Sequence, residues 1–67
     1  MAKIQLNGRK LELKIKYTIL ALLKKYKIDK KKTAIELNGQ IINRNNYEYI
    51  YIKNKDKIEI VHFIGGG

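Results

Sequence analysis

Asn-Gly stands twice in this chain, at Asn7-Gly8 and Asn38-Gly39, and each pair lies between runs of alternating apolar and polar residues. Alternation with a period of two marks a strand with one buried face. Asn-Gly is the strongest short signal for the tight turn that folds two such strands together. The first hairpin sets Ile4 and Leu6 against Leu11, Leu13 and Ile15, and the second sets Ile35 and Leu37 against Ile41-Ile42. Two hairpins in a chain of 67 residues leave little room for anything but what joins them and what closes the sheet.

The joining segment is "YTILALLKKYKID". Thr18 offers an N-cap oxygen, and Ile19, Leu22, Leu23 and Tyr26 recur at helical spacing. Neither proline nor glycine interrupts it, so the pattern predicts a helix of about three turns. Lys24, Lys25 and Lys27 gather at its end, where the helix dipole favours cations. After the second hairpin, Asn43 to Asn46 predict a turn or a short helical turn, with Tyr47 or Ile50 closing the core beneath. Tyr47, Tyr49 and Tyr51 read as sheet and core-edge residues. Asn54 to Asp56 then turn the chain into a last strand, "KIEIVHFI".

Strand, strand, helix, strand, short strand, irregular segment and strand leave few solutions. One amphipathic helix must cover one face of a mixed four- to five-stranded sheet, with the helix as a crossover and the last strand beside the first. This α+β order is that of the ubiquitin-like β-grasp fold. It assigns residues 1–64 to the domain and 65–67 to a flexible glycine tail.

Composition narrows the function classes. There is no cysteine and one histidine, His62, so no disulfide, thiol nucleophile or thiolate metal site can be built, and no metal site is expected. His62 reads as a packing or solvent-facing residue. With six acidic residues and no glycine-rich phosphate loop, the chain is expected not to be an enzyme. No apolar run approaches the roughly 20 residues that cross a bilayer, and no signal-peptide core opens the chain, so a cytoplasmic protein without membrane contact is expected. The net charge of +9 raises nucleic-acid binding. Against it, the cations are almost all lysine, Arg9 and Arg44 excepted, and only Lys24 to Lys32 cluster. Lysine is a mobile point charge, whereas base readout and phosphate clamping favour arginine. A solvated lysine-rich surface is the simpler reading.

The last strand carries the functional signal. Its period of two puts Ile58 and Ile60 on the core face, leaving Val61 and Phe63 on the open face. Exposed apolar residues there, with Ile64, are expected to offer a partner patch, the alternative being that Phe63 or Ile64 folds back on the core; Gly65, Gly66 and Gly67 follow.

The early Asn-Gly hairpin, "TILALL", "AIELNGQII" and "DKIEIVHFIGGG" together resemble the ThiS family, sulfur carriers of thiamin thiazole biosynthesis, over essentially the whole chain. The resemblance implies that the Gly67 carboxylate is adenylated by an E1-like, ThiF-type adenylyltransferase using ATP and magnesium. A sulfur donor such as a cysteine desulfurase then converts it to a thiocarboxylate that supplies a ThiG-type thiazole synthase. The carrier itself is implied to bind no cofactor and to contribute no acid, base or nucleophile. Gly65 and Gly66 would let bare backbone enter narrow active sites. One departure concerns a turn: the family usually has Gly-Asp where Lys55-Asp56 stands here, and lysine disfavours the positive φ such a turn takes. The small subunit of molybdopterin synthase is a second β-grasp carrier with a Gly-Gly end, and a ubiquitin-like conjugator a third. From another class, a small basic RNA-binding module would use the lysines for phosphates and the tyrosines for stacking.

Overall fold

A computed structural model of the chain describes residues 1–63; the expectations for Ile64, Gly65, Gly66 and Gly67 lie outside the described residues. Strands β1 (Ala2–Leu6) and β2 (Arg9–Leu13) form the first hairpin, with Ile4 opposite Leu11 and Ala2 opposite Leu13. Helix α1 spans Ile19–Lys25. Strands β3 (Thr33–Leu37) and β4 (Gln40–Ile41) form the second hairpin, and β5 (Lys57–His62) closes the sheet. The sheet order is β2-β1-β5-β3-β4, so the last strand in sequence is the middle strand in space. It runs parallel to β1 and antiparallel to β3. This is the expected ubiquitin-like β-grasp arrangement.

Both turns have the backbone that Asn-Gly favours. Asn7 and Gly8 take φ of 51° and 79°, and Asn38 and Gly39 take 52° and 85°, positive at both central residues as a type I′ turn requires. A Cβ built on either glycine would meet nothing within 4 Å, so backbone conformation and not space selects glycine there.

The start of α1 accounts for its first three amides. Ala21 N–H donates to the Thr18 hydroxyl oxygen at 3.1 Å, confirming the N-cap. Ile19 N–H donates to the Ile50 carbonyl and Leu20 N–H to the Tyr47 carbonyl, both at 3.0 Å. The irregular segment after β4 therefore straps the helix start. It begins with a 3-10 turn at Arg44–Asn46, capped by the Asn43 side chain, as the asparagine run predicted. Ile52 N–H bonds the Tyr17 carbonyl at 2.8 Å, fixing the strap on its far side.

The helix is shorter than the pattern suggested, about two turns over seven residues. Lys27 takes φ +57°, its N–H bonds the Lys24 carbonyl at 3.1 Å, and Ile28 N–H bonds the Leu23 carbonyl at 2.9 Å. That pair of bonds is a Schellman ending, with lysine where glycine is usual. Tyr26, at the cap, is consequently exposed and not part of the core. Ile15 is corrected too: β2 ends at Leu13, and Ile15 beyond it is exposed.

The core between helix and sheet joins Ile4, Leu13, Ile19, Leu22, Leu23, Ile35, Tyr47, Ile52, Ile58 and Ile60. Tyr47 closes it from the strap, with Ile50 packed behind it. No buried side-chain nitrogen or oxygen among the described residues lacks a hydrogen-bond partner.

Candidate functional site

The candidate site is the end of β5, so the question is what holds that strand and what it shows to solvent. Ile58 and Ile60 are buried, and Glu59, Val61 and Phe63 are exposed, as the period of two predicted. Val61 retains 49% of its surface and Phe63 55%, on the sheet face opposite the helix. His62, opposite Thr33, is exposed as well.

Hydrogen bonds hold β5 differently on its two sides. Toward β3 the ladder runs from Leu37 opposite Ile58 to Thr33 opposite His62, and Phe63 N–H still reaches the Lys32 carbonyl at 3.0 Å. Toward β1 it is short, pairing Gln5 with Lys57 and Leu6 with Ile58. The Asn7 amide donates to the Ile58 carbonyl at 2.9 Å, and the chain then turns away. The Ile60 amide would be left without a partner on that side. Instead it donates to Asn7 Oδ1 at 2.7 Å.

Asn38 repeats the device at the other end of the strand. Its amide donates to the Lys57 carbonyl at 2.7 Å, while Lys57 N–H donates to Asn38 Oδ1 at 2.8 Å. Asn38 Nδ2 donates to Asp56 Oδ1, and Asp56 Oδ2 accepts from Lys53 N–H at 2.7 Å. In both hairpins a turn asparagine places its side-chain oxygen where a backbone carbonyl would otherwise continue the ladder. In the sequence these asparagines mark the turns alone. The second role appears only once strands far apart in sequence are set in register.

The turn into β5 resolves the departure at Lys55. Lys55 does take positive φ, +71°, and its N–H donates to the Lys3 carbonyl at 2.7 Å while Asn54 Oδ1 accepts from Lys3 N–H at 2.8 Å. Two bonds to β1 hold the lysine in a conformation it does not favour alone.

The open face around Val61 carries two further features that the sequence did not single out. Ile41 is 75% exposed at the sheet edge, paired with Glu36. Glu36 in turn stands directly opposite Glu59. Among the tyrosines, Tyr47 is core and Tyr49 is exposed, whereas Tyr51, though largely exposed, forms a β-bridge with Thr18. Burial raises the Tyr47 hydroxyl above its ordinary pKa, against opposing pulls from Arg44 and the Ile35 backbone. Among the described residues no three His, Cys, Asp or Glu side chains gather to hold a metal ion. No helix among them is long and apolar enough to cross a membrane.

One helix across a five-stranded mixed sheet, with the middle strand leading to an exposed apolar end, defines a ubiquitin-like β-grasp domain. The sequence model of the ThiS family matches residues 4–67, and the chain belongs to that family, whose members are sulfur carriers in thiamin biosynthesis. It is 40% identical over 65 residues to the sulfur carrier protein ThiS of Bacillus subtilis, covering 96% of this chain and 98% of that protein. It is also 37% identical over 65 residues to a thiazole synthase of Paramagnetospirillum magneticum, 97% of this chain but only 20% of that protein's length. The crystal structure of a thiamine biosynthesis protein (ThiS) from Geobacter metallireducens superposes with a TM-score of 0.83 at 25% identity, covering 97% of this chain and 99% of that one.

Proposed function

We propose that this chain carries sulfur on its own α-carboxylate at Gly67 for the formation of the thiamin thiazole. A carboxylate is a poor electrophile. A ThiF-type adenylyltransferase would join it to the AMP of ATP, with magnesium neutralising the phosphates and pyrophosphate leaving. Sulfur delivered as the persulfide of a cysteine desulfurase or similar donor would displace AMP, and a thiol reductant would then cleave the resulting acyl disulfide to leave a thiocarboxylate. A ThiG-type thiazole synthase would then take that sulfur and return the carboxylate. Apart from the Gly67 carboxylate itself, every acid, base and sulfur-bearing group in these steps belongs to a partner; the carrier supplies a reachable end and a surface to be recognised by.

The observation that carries this reading is the family match continuing through Gly67 in a chain that spans 98% of the Bacillus subtilis carrier. A thiazole synthase partner draws support from the synthases of Paramagnetospirillum magneticum and Magnetococcus marinus. In each, a segment like this chain makes up a fifth of the protein. The exposed pair Val61 and Phe63, with Ile64, is the surface proposed to meet those partners.

Intact mass tests the reading. After incubation with an E1-like partner, MgATP and a sulfur donor, one terminal oxygen exchanged for sulfur adds about 16 Da. Deleting Gly67 should abolish that change and leave the fold intact. An unchanged mass for the full chain would overturn the proposal, and salt-sensitive RNA binding that survives the deletion would favour a nucleic-acid module instead.

A further inference from the structure

We infer that Asn7 is a positioning residue for the reactive end, acting through the Ile60 amide and separately from its role in the turn. The inference rests on the carrier reading above.

Asn7 governs how far along β5 the strand is held from both sides. The Ile60 amide on Asn7 Oδ1 is the last hydrogen bond from the β1 side. Beyond it, among the described residues, Val61 to Phe63 are held by β3 and the Lys32 carbonyl. Without that oxygen, two-sided support retreats to Ile58, and the strand from Glu59 onward hangs on β3 alone. The stretch thereby loosened contains Val61 and Phe63, which lead into the glycines. A partner must hold that stretch in one place while the carboxylate reacts, and any freedom gained in the free carrier is freedom lost on docking. A hydrogen bond that only fixes the strand's exit therefore acts on recognition.

Asn38 supplies the internal control. Its turn takes the same positive φ values, and its Oδ1 accepts from a β5 amide at a similar distance. It holds Lys57, however, at the opposite end of the strand from Phe63. Loss of either oxygen should lower stability, but only the loss at Asn7 should alter how the end is presented.

The test uses Asn7→Gly, Asn38→Gly and Asn7→Asp. Glycine keeps both turns accessible and removes the acceptor, while aspartate keeps the acceptor. In native-state amide exchange, Asn7→Gly should speed the Ile60 amide several-fold more than it speeds core amides of α1, and Asn7→Asp should restore it. In adenylation assays well below the melting temperature, Asn7→Gly should raise KM for the carrier about three- to tenfold with kcat unchanged, the effect of one lost hydrogen bond. Asn38→Gly should leave KM unchanged, and Asn7→Asp should bring it back. Equal KM for Asn7→Gly and the native chain, or an equal rise for Asn38→Gly, would reduce Asn7 to a structural residue and overturn the inference. If the native chain is not adenylated at all, the carrier reading fails and this inference falls with it. Exchange then still reports whether the oxygen holds Ile60.

Discussion

Glu36 and Glu59 stand directly opposite each other on β3 and β5, on the sheet face away from the helix. Both line a shallow depression with Asn38, Gly39 and Lys57, which brings one cation to the same depression. Directly opposed like charges still cost an antiparallel pair a few tenths of a kcal/mol. Glu36→Gln is expected to raise stability by about 0.2–0.5 kcal/mol at low salt. The gain should shrink above about 0.5 M salt, where exposed charges are screened. Urea melts at the two ionic strengths check both parts, and a loss of stability at low salt would show that Lys57 outweighs the repulsion.

Lys27 and Lys55 hold φ of +57° and +71°, a region that costs a side-chain-bearing residue roughly 1–2 kcal/mol. Glycine removes that strain but loses more backbone entropy on folding, roughly 0.5–1 kcal/mol. Lys27→Gly and Lys55→Gly are each expected to stabilise the fold by about 0.5–1 kcal/mol, a rise of several degrees in Tm for a domain of this size. The two sites share no hydrogen-bond partner, so the double variant should show the sum. Thermal melts of the two single variants and the double check this, and a fall in Tm would mean that the lysine stems contribute packing worth more than the strain.

The same two lysines show where sequence reasoning reaches its limit. The alternation around Asn7-Gly8 and Asn38-Gly39, and the spacing of Ile19, Leu22 and Leu23, carried the hairpins, the helix face and most of the core, because period and turn chemistry are local. The helix end was not local in that sense. With no glycine to mark it, Lys27 ends α1 because Ile28 packs back against the core and forces the turn. Ile15 fits the alternation yet lies past the end of β2, where no partner strand continues. At the site, the exposure of Val61 and Phe63 followed from parity along β5. The clasp of Asn7 on Ile60 did not, because it depends on which residue of β1 lies level with which residue of β5. Ile41 and the Glu36–Glu59 pairing were hidden for the same reason.

Tyr47 gives the fold an alkaline limit. Burial favours its neutral hydroxyl, so its folded pKa lies above the ordinary value of 10.0. Above that ordinary value the unfolded chain releases the proton first and binds fewer protons than the folded one, so stability falls as pH rises. The contribution is complete below about pH 10 and is lost as pH climbs through the folded value. Tyr47→Phe removes the titration but keeps the ring in the core. The difference in unfolding free energy between the native chain and Tyr47→Phe is expected to be flat up to about pH 9.5 and then to move in favour of the phenylalanine variant. A difference that stays flat to pH 11 would show that the hydroxyl is free to ionise in the folded state.

Substitutions at Val61 and Phe63, the proposed partner surface, are expected to separate recognition from folding. About half of each side chain is already in water, so replacing either with lysine removes little that the isolated domain uses. A partner covering that exposed apolar surface gains on the order of 1–2 kcal/mol per side chain, about a tenfold effect in affinity. Phe63→Lys and Val61→Lys are expected to lower kcat/KM for adenylation roughly tenfold each. Tm should stay within about 3 °C for Phe63→Lys, just beyond the end of β5, and fall slightly further for Val61→Lys, which lies within the strand and loses a β-branched side chain. Adenylation kinetics and thermal melts on the same preparations decide it. A large drop in Tm for Phe63→Lys would mean that the ring belongs to the core. An unchanged kcat/KM with an unchanged Tm would place the partner elsewhere on the sheet.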